Sequence, residues 1–318
     1  MNQITNQCQN QCVNQTADQW KEPHAKRKLC DNLLLLCLET YAIIVGGQLL
    51  GRILVSVVCI FLLAPFIPQI EENPVWQTAA PNASFIGVWI VGFLCIKISK
   101  NRSILLTQWR MPKGNRVPFL VLGLMIGFTL NGICILTAYL HGDITLVFDK
   151  FRPFSLLTIL ACVFIQSSAE EFLCRGFLYQ RLRKSYKNPW IAILGSSLLF
   201  AAAHLMNPDV TFLSLVNITL AGLLFAMMVY YLDSIWCAYA AHTAWNFTQN
   251  ILFGLPNSGI VLPYSVWKLD AGSARDSFAY HVGFGIEGTV TADIVLLIAC
   301  LAIFVYGRKG GLFWRIRS

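Results

Sequence analysis

The sequence predicts an all-α protein, a polytopic bundle of about eight transmembrane helices. Its 318 residues are 56% hydrophobic and 13% charged, with a mean hydropathy of +0.59, whereas globular chains are about 25% charged. The apolar residues also fall into runs close to the roughly 20 that a helix needs to cross a bilayer. Together these observations predict an integral multi-pass protein whose surrounding partner is the lipid bilayer.

Apolar runs bounded by polar residues, proline or glycine define the predicted spans. We expect them at 49–67, 84–98, 117–140, 155–173, 190–205, 211–232, 235–253 and 289–307. The first run begins earlier, at Leu33. There the pair Gly46-Gly47 is expected to separate an interfacial helix, which contains Glu39, from the first span.

The charged residues between the spans indicate how the chain crosses the membrane. Segment 68–83 contains two glutamates and no Lys or Arg, and segment 175–187 is basic. Segment 97–116 contains Lys97, Lys100, Arg102, Arg110, Lys113 and Arg116. Because cytoplasmic loops are enriched in Lys and Arg, both termini are expected in the cytoplasm and the 254–288 loop on the outer face. The net charge of +8 therefore indicates orientation, and we expect no nucleic-acid partner.

A few ionisable or amide side chains lie within the apolar runs. A charge near the bilayer centre costs about 2.5–3.5 kcal/mol on insertion scales, so such residues usually face the bundle interior or a cavity. The strongest candidates for chemistry are Glu170, Glu171, Arg175, His204, His242 and Asn246.

The first three candidates belong to the segment SSAEEFLCRGF, residues 167–177. Glu171 and Arg175 are four residues apart, share a helix face and should form an ion pair. Glu170 and Arg175 are five apart and differ by roughly 140° around the helix. We therefore expect Glu170 to point elsewhere, without a cation from its own helix, and to act as a general base or acid.

The histidines occur in two further pairs at the same four-residue spacing. Phe200 and His204 share one face, which also fits an aromatic ring packed on a histidine that bonds a backbone carbonyl. His242 and Asn246 share another face, which fits either a structural contact or two donors directed at an oxyanion. Taken together with Glu170, they can activate a water and stabilise a tetrahedral intermediate, so the combination predicts peptide hydrolysis.

These three motifs resemble those of the CPBP (Abi) family of CAAX prenyl proteases and bacteriocin-processing enzymes. The family pattern is Glu-Glu-xxx-Arg, Phe-xxx-His and His-xxx-Asn, in this order on an all-helical membrane core. Here the motifs are Glu170-Glu171-xxx-Arg175, Phe200-xxx-His204 and His242-xxx-Asn246.

The resemblance implies an intramembrane endopeptidase in which Glu170 and His204 activate water and His242 and Asn246 bind the oxyanion. Glu171 and Arg175 would be structural support. The family has been described as metalloproteases, but two histidines, one glutamate and one asparagine make a poor zinc set. We therefore expect that no cofactor is required. The expected substrate is a membrane-associated peptide or a prenylated protein, cleaved near the cytosolic face, and the expected location is a bacterial cell membrane.

Two other functions are compatible with such a chain. One is a non-catalytic membrane scaffold or bacteriocin-immunity protein of the same fold. The other is a proton-coupled transporter, although we find no internal repeat of the kind that marks many transporters. The predicted organisation is a polar cytosolic tail at 1–32, N-terminal membrane helices at 33–154, a catalytic helical core at 155–253, an outer loop at 254–288, and a last span with a basic cytosolic C-terminus at 289–318.

Overall fold

A computed structural model of the chain describes residues 32–62, 72–99, 102–103 and 114–308. Within these ranges the chain is mostly helical, and six helices are long and apolar enough to cross a membrane. This confirms a polytopic helical membrane protein. The predicted N-terminal tail, except for Asn32, and residues 309–318 of the predicted C-terminus lie outside the described residues.

The elements follow one another in a simple order. They are α1 Leu33–Leu62, α2 Pro74–Ala83, α3 Ile86–Ile98, α4 Val117–His141, β1 Leu146–Phe148, α5 Pro153–Glu171, α6 Tyr179–Ser185, α7 Pro189–Ala202, α8 Phe212–Leu232, α9 Ile235–Asn246, β2 Trp267–Leu269 and α10 Val290–Arg308. Short π-helical segments continue α5 over Phe172–Leu178 and α9 over Phe247–Leu252, and 3-10 turns lie at Ala271–Ser273 and Ile286–Gly288.

The beginning of the bundle differs from the prediction in two places. Helix α1 is continuous, so the expected break at Gly46-Gly47 is wrong. A helical glycine costs about 1 kcal/mol relative to alanine, but Gly47 lies directly against the backbone of Val88, and this packing offsets the cost. Part of the predicted 68–83 loop is also helical, because Asn73 caps α2 by accepting a hydrogen bond from the Val75 amide.

A long helical run also replaces the predicted basic loop at 175–187. Pro153–Ser185 forms 33 residues of continuous helix, including the π-helical segment. The basic side chains do not require a loop, because Arg181 is buried and its Nη1 lies 2.7 Å from Glu39 Oε2. Glu170 therefore lies inside this run and not at the end of a span.

Two predicted spans do not meet the length and hydropathy of a membrane span. Helix α7 has 14 residues, which is about 21 Å at 1.5 Å per residue and less than the bilayer core. Helix α9 and its π-helical continuation contain the polar residues His242, Asn246 and Gln249. The described residues thus contain six candidate spans where the sequence predicted about eight.

The 254–288 loop is folded over one end of the bundle and is not wholly irregular. Strand β2 in this loop pairs with β1 in an antiparallel sheet, which the all-α prediction did not include. Asp149, directly after β1, lies 3.1 Å from both Lys150 Nζ and Lys268 Nζ. Hydrogen bonds from Lys268 and Lys150 lower the pKa of this carboxyl. The loop is therefore tied to the segment that leads from β1 into α5, the helix that carries Glu170.

Close backbone contact joins α4 to α9, the helix that carries His242. A Cβ atom on Gly127 would overlap the carbonyl oxygen of Ala241, whereas a Cβ on Gly132 of the same helix would meet no atom within 4 Å. We expect Gly127→Ala to lower the free energy of unfolding by about 2 kcal/mol, because the two backbones must separate. Gly132→Ala is the matched control and should be neutral. Equal thermal midpoints of the two variants in detergent would contradict this close contact.

Candidate active site

A buried ion pair lies at the centre of the site. Arg175 Nη1 is 2.7 Å from Glu171 Oε1, and both side chains are 0% exposed. The pair that the four-residue spacing predicts is therefore present. His242 Nδ1 approaches the same carboxylate oxygen at 3.1 Å, so Glu171 joins the first motif to the third.

The guanidinium of Arg175 is enclosed by polar and aromatic groups from two further helices. Its Nη2 donates a hydrogen bond of 2.8 Å to the carbonyl oxygen of Gly222 in α8. The rings of Phe200 and Phe225 lie 4.7 and 5.7 Å from the guanidinium carbon. A buried cation is tolerated only when it is paired and hydrogen-bonded, and Arg175 meets both conditions. It thus joins α7 and α8 to the glutamate motif.

Glu170 has a different environment from Glu171. Its Oε1 accepts a hydrogen bond of 2.7 Å from Gln166 Nε2, one turn earlier in α5. Its Oε2 is buried and has no hydrogen-bond partner among the described residues, and it lies 3.8 Å from His242 Nε2. The partner that Glu170 lacks within its own helix is therefore supplied by α9.

The imidazole of His242 is fixed between the two carboxylates. Its Nδ1 faces Glu171 and its Nε2 faces Glu170. The ring of Phe225 stacks on it at 5.1 Å between centroids, and Phe200 meets it edge-on at 5.6 Å. These contacts leave the ring one orientation, with Nε2 directed at the free oxygen of Glu170.

Asn246 lies one turn beyond His242 and belongs to the same polar network. Its Nδ2 is 3.1 Å from Gln166 Oε1 and 3.3 Å from Ser167 Oγ. Its Oδ1 accepts a hydrogen bond of 3.3 Å from Asn257 Nδ2, a residue of the 254–288 loop. The network therefore runs from Glu170 through Gln166 and Asn246 to the loop.

His204 is placed apart from the other candidates. It follows the end of α7, its Nδ1 lies 2.8 Å from the carbonyl oxygen of Phe200, and its ring packs on that phenyl ring at 4.9 Å. Within the described part of the chain, no hydrogen bond or ion pair joins His204 to Glu170. The packing arrangement left open by the sequence is thus present. When protonated, His204 is close enough to Glu287 to lower the pKa of that carboxyl.

Glu287 is a buried carboxylate that the sequence analysis missed. Its Oε1 accepts hydrogen bonds from Trp245 Nε1 at 2.7 Å and Asn257 Nδ2 at 3.0 Å, and its Oε2 accepts from the amide and hydroxyl of Ser258. Burial raises the pKa of Glu287, while the bonds from Trp245 and Ser258 and the charge of His204 act to lower it. Glu287 therefore holds the loop against the residue that precedes Asn246.

The sequence analysis singled out neither Gln166 nor Glu287, and only Gln166 could have been found from the sequence. Gln166 is four residues before Glu170, so the spacing argument applied to Arg175 would also have placed Gln166 beside Glu170. Glu287 lies in a loop rich in glycine, and its contacts with Asn257 and Trp245 join segments that no local spacing relates.

Replacing Glu287 by glutamine is expected to misplace Asn246. The amide presents a donor to groups that are themselves donors, so at least one hydrogen bond is lost, at a cost of about 1–3 kcal/mol. Displacements near 1 Å at a catalytic group can lower the rate about 100-fold. We expect kcat to fall by a factor of about 10–100 with little change in KM, measured on purified wild type and variant. A variant with wild-type kcat would show that Glu287 does not position Asn246.

The donors at the centre of the site are arranged towards one another and not towards a metal ion. Glu171 Oε1 is shared by Arg175 and His242. In the described ranges, no group of three or more His, Cys, Asp or Glu residues could hold a metal ion. That no cofactor is required stays a prediction, and no metal step is invoked for this site.

Comparison with known proteins bears on the segment that carries all three motifs. Residues 152–248 match a family described as type II CAAX prenyl endopeptidase Rce1-like. No curated protein matches the chain significantly. The matched segment includes Glu170, His204, His242 and Asn246, whereas Asn257 and Glu287 lie beyond it. Residues 152–248 are thus similar to the Rce1-like type II CAAX prenyl endopeptidases, which agrees with the resemblance that the three motifs carry.

Proposed function

We propose that the protein is an intramembrane endopeptidase that hydrolyses a peptide bond in a membrane-associated peptide or a prenylated protein. The observation that carries this proposal is the free Oε2 of Glu170, which faces His242 Nε2 across 3.8 Å. A carboxylate and an imidazole held at this distance can act together on a water and a carbonyl. The family match supports a protease of the CAAX type.

In the first step, Glu170 Oε2 accepts a proton from a water molecule as the water oxygen attacks the substrate carbonyl carbon. The hydrogen bond from Gln166 to Oε1 fixes the carboxylate and leaves Oε2 as the basic atom. His204 is the second group proposed to orient the water. Its Nδ1 donates to the Phe200 carbonyl, so Nε2 of the neutral ring is an acceptor.

The negative charge that develops on the carbonyl oxygen is stabilised by His242 and Asn246. Since Glu171 accepts from Nδ1 and Glu170 faces Nε2, the ring can carry a proton on both nitrogens and donate from Nε2. Asn246 Nδ2 supplies the second donor when its amide turns from Gln166 towards the substrate. Two donors directed at a developing oxyanion are typical of acyl-transfer sites.

Collapse of the tetrahedral intermediate completes the reaction. The bond between carbonyl carbon and nitrogen breaks, and Glu170 returns the proton it took from water to the leaving amine. The products are a carboxylic acid and an amine, and the enzyme regains its starting protonation; the acid then releases its proton to the amine or to solvent. Glu171 and Arg175 contact neither reacting group and act by holding His242.

The proposal is tested by turnover of a library of membrane-tethered and prenylated peptides. Purified wild type should cleave a subset, and His204→Ala should reduce that cleavage at least about 100-fold, whereas His141→Ala, at the half-exposed end of α4, serves as the matched control. A chelator should leave the rate unchanged. Loss of activity with chelator, restored by added zinc, would contradict the metal-free mechanism. No cleavage by wild type of any peptide in the library would favour a non-catalytic scaffold.

A further inference from the structure

The helix ends divide the bundle into two faces. Residues Gln166 and Glu171 of α5 contact Asn246 and His242 of α9, so these helices are antiparallel. The face that we call the loop face contains the 254–288 loop and the helix ends at His141, Pro153, Ala202, Phe212 and Val290. The face that we call the terminal face contains the helix ends at Leu33, Ile98, Val117, Ser185, Leu232, Ile235 and Arg308.

The candidate site is closed towards the terminal face. Every residue from Glu171 to Leu182 is buried, and so is every residue from Cys237 to Trp245. Arg175, the polar group nearest this side of the site, is 0% exposed. No water-filled route is therefore apparent along these two helical segments, which carry Glu171 and His242.

Exposure begins on the opposite side of the same residues. Glu170, His204 and Asn246 are each partly exposed, and Met206, two residues after His204, is 88% exposed. The polar network continues from Asn246 through Asn257 to Glu287, both on the loop face. The groups proposed to react are thus accessible from the loop face and are hydrogen-bonded to residues there.

The two faces differ in charge. Among the described residues, basic side chains predominate in segments that join or flank helices at the terminal face: Lys97, Arg102, Arg116, Arg183, Lys184, Lys187 and Arg308, with the single acid Asp233. The described segments of the loop face contain Lys150, Arg152, Lys268 and Arg275 together with the acids Glu72, Asp143, Asp149, Asp209, Asp270, Asp276 and Glu287. Excess Lys and Arg mark the cytoplasmic side of a membrane protein, so the terminal face is the cytoplasmic one.

We propose that the site opens to the non-cytoplasmic face and that its substrate is a polypeptide exposed there, either exported or anchored in the outer leaflet. This inference rests on the proposed endopeptidase function. It replaces the expectation from the sequence that cleavage occurs near the cytosolic face. It also excludes, as the substrate, a prenylated C-terminus displayed in the cytosol, because such a chain would meet only the buried side of the site.

The orientation is tested by thiol labelling, which needs no catalysis. Met206→Cys and Ala271→Cys place a thiol on the loop face, and Lys187→Cys places one at an exposed position of the terminal face. Each variant is produced in a bacterial plasma membrane and treated, in spheroplasts, with a membrane-impermeant maleimide. The parent chain gives the background from native cysteines. We expect full labelling of the first two variants before lysis and at least about tenfold lower labelling of Lys187→Cys until lysis. The reverse pattern overturns the proposal.

The substrate class is tested with two reporters that carry the same membrane-tethered peptide library, one displayed outside the membrane and one inside. Wild type should cleave the outer reporter, and Glu170→Gln should cleave neither. Cleavage of the inner reporter alone would overturn this inference and leave the protease function standing. A third outcome is that the loop face is labelled from outside and neither reporter is cleaved. In that case the orientation is supported, but the proposed protease function and the proposed substrate class are both wrong.

Discussion

Glu170→Gln is expected to lower kcat by a factor of about 10²–10⁴ and to leave the protein folded. Glutamine keeps the size of the side chain and can still bond Gln166, so the packing around α5 should persist. What it loses is a basic oxygen at Oε2, the atom that faces His242 Nε2 at 3.8 Å. The measurement is single-turnover cleavage of the best peptide substrate, with thermal unfolding recorded on the same preparation.

A matched substitution separates catalysis from general effects of charge. Glu72→Gln removes an exposed carboxylate on the loop face, far along the sequence from the motifs, and should retain the wild-type rate. Glu170→Asp retains the acid but withdraws it by one methylene, so it should recover only part of the activity. A Glu170→Gln enzyme that turns over at the wild-type rate would remove the general base from the mechanism.

The helical membrane architecture was predictable because it depends on composition and on the length of apolar runs. The ion pair of Glu171 with Arg175 was predictable for a similar reason, since both residues lie on one helix at a fixed spacing. Local periodicity is strong information when the partners are within one or two turns. It also correctly assigned different surroundings to Glu170 and Glu171.

The parts that could not be predicted join distant segments. The sequence predicts that Arg181 lies in a basic loop. In the structure it pairs with Glu39, which is 142 positions away in the chain. His242 bonds Glu171 across 71 positions, and no pattern within either helix specifies that contact. The continuity of α1 through Gly46-Gly47 likewise depends on the neighbouring helix that packs against Gly47.

The position of His204 illustrates the same limit for the site itself. The spacing from Phe200 correctly predicts a shared face, and the ring does pack on that phenyl group. Spacing does not specify how the turn after α7 directs the other nitrogen, nor that a protonated His204 would lower the pKa of Glu287. The role of His204 in activating water accordingly remains a prediction for the His204→Ala experiment.

Arg175→Leu is expected to lower the free energy of unfolding by about 3–5 kcal/mol, the usual cost of removing one partner from a buried ion pair. Glu171 would remain at 0% exposure with its cation gone. The hydrogen bond to the Gly222 carbonyl and the contacts with Phe200 and Phe225 would also be lost. Thermal unfolding in detergent should show a large fall in midpoint, whereas Lys184→Leu, at an exposed site of α6, should show little change.

A double variant distinguishes loss of the cation from loss of the site. Arg175→Leu combined with Glu171→Gln removes the unpaired charge, so it should be more stable than Arg175→Leu alone. It should still be inactive, because His242 Nδ1 then faces an amide instead of the carboxylate that fixes its protonation. Recovery of both stability and activity would mean that the pair matters only for folding. Recovery of stability without activity would mean that Glu171 and Arg175 are needed to position His242.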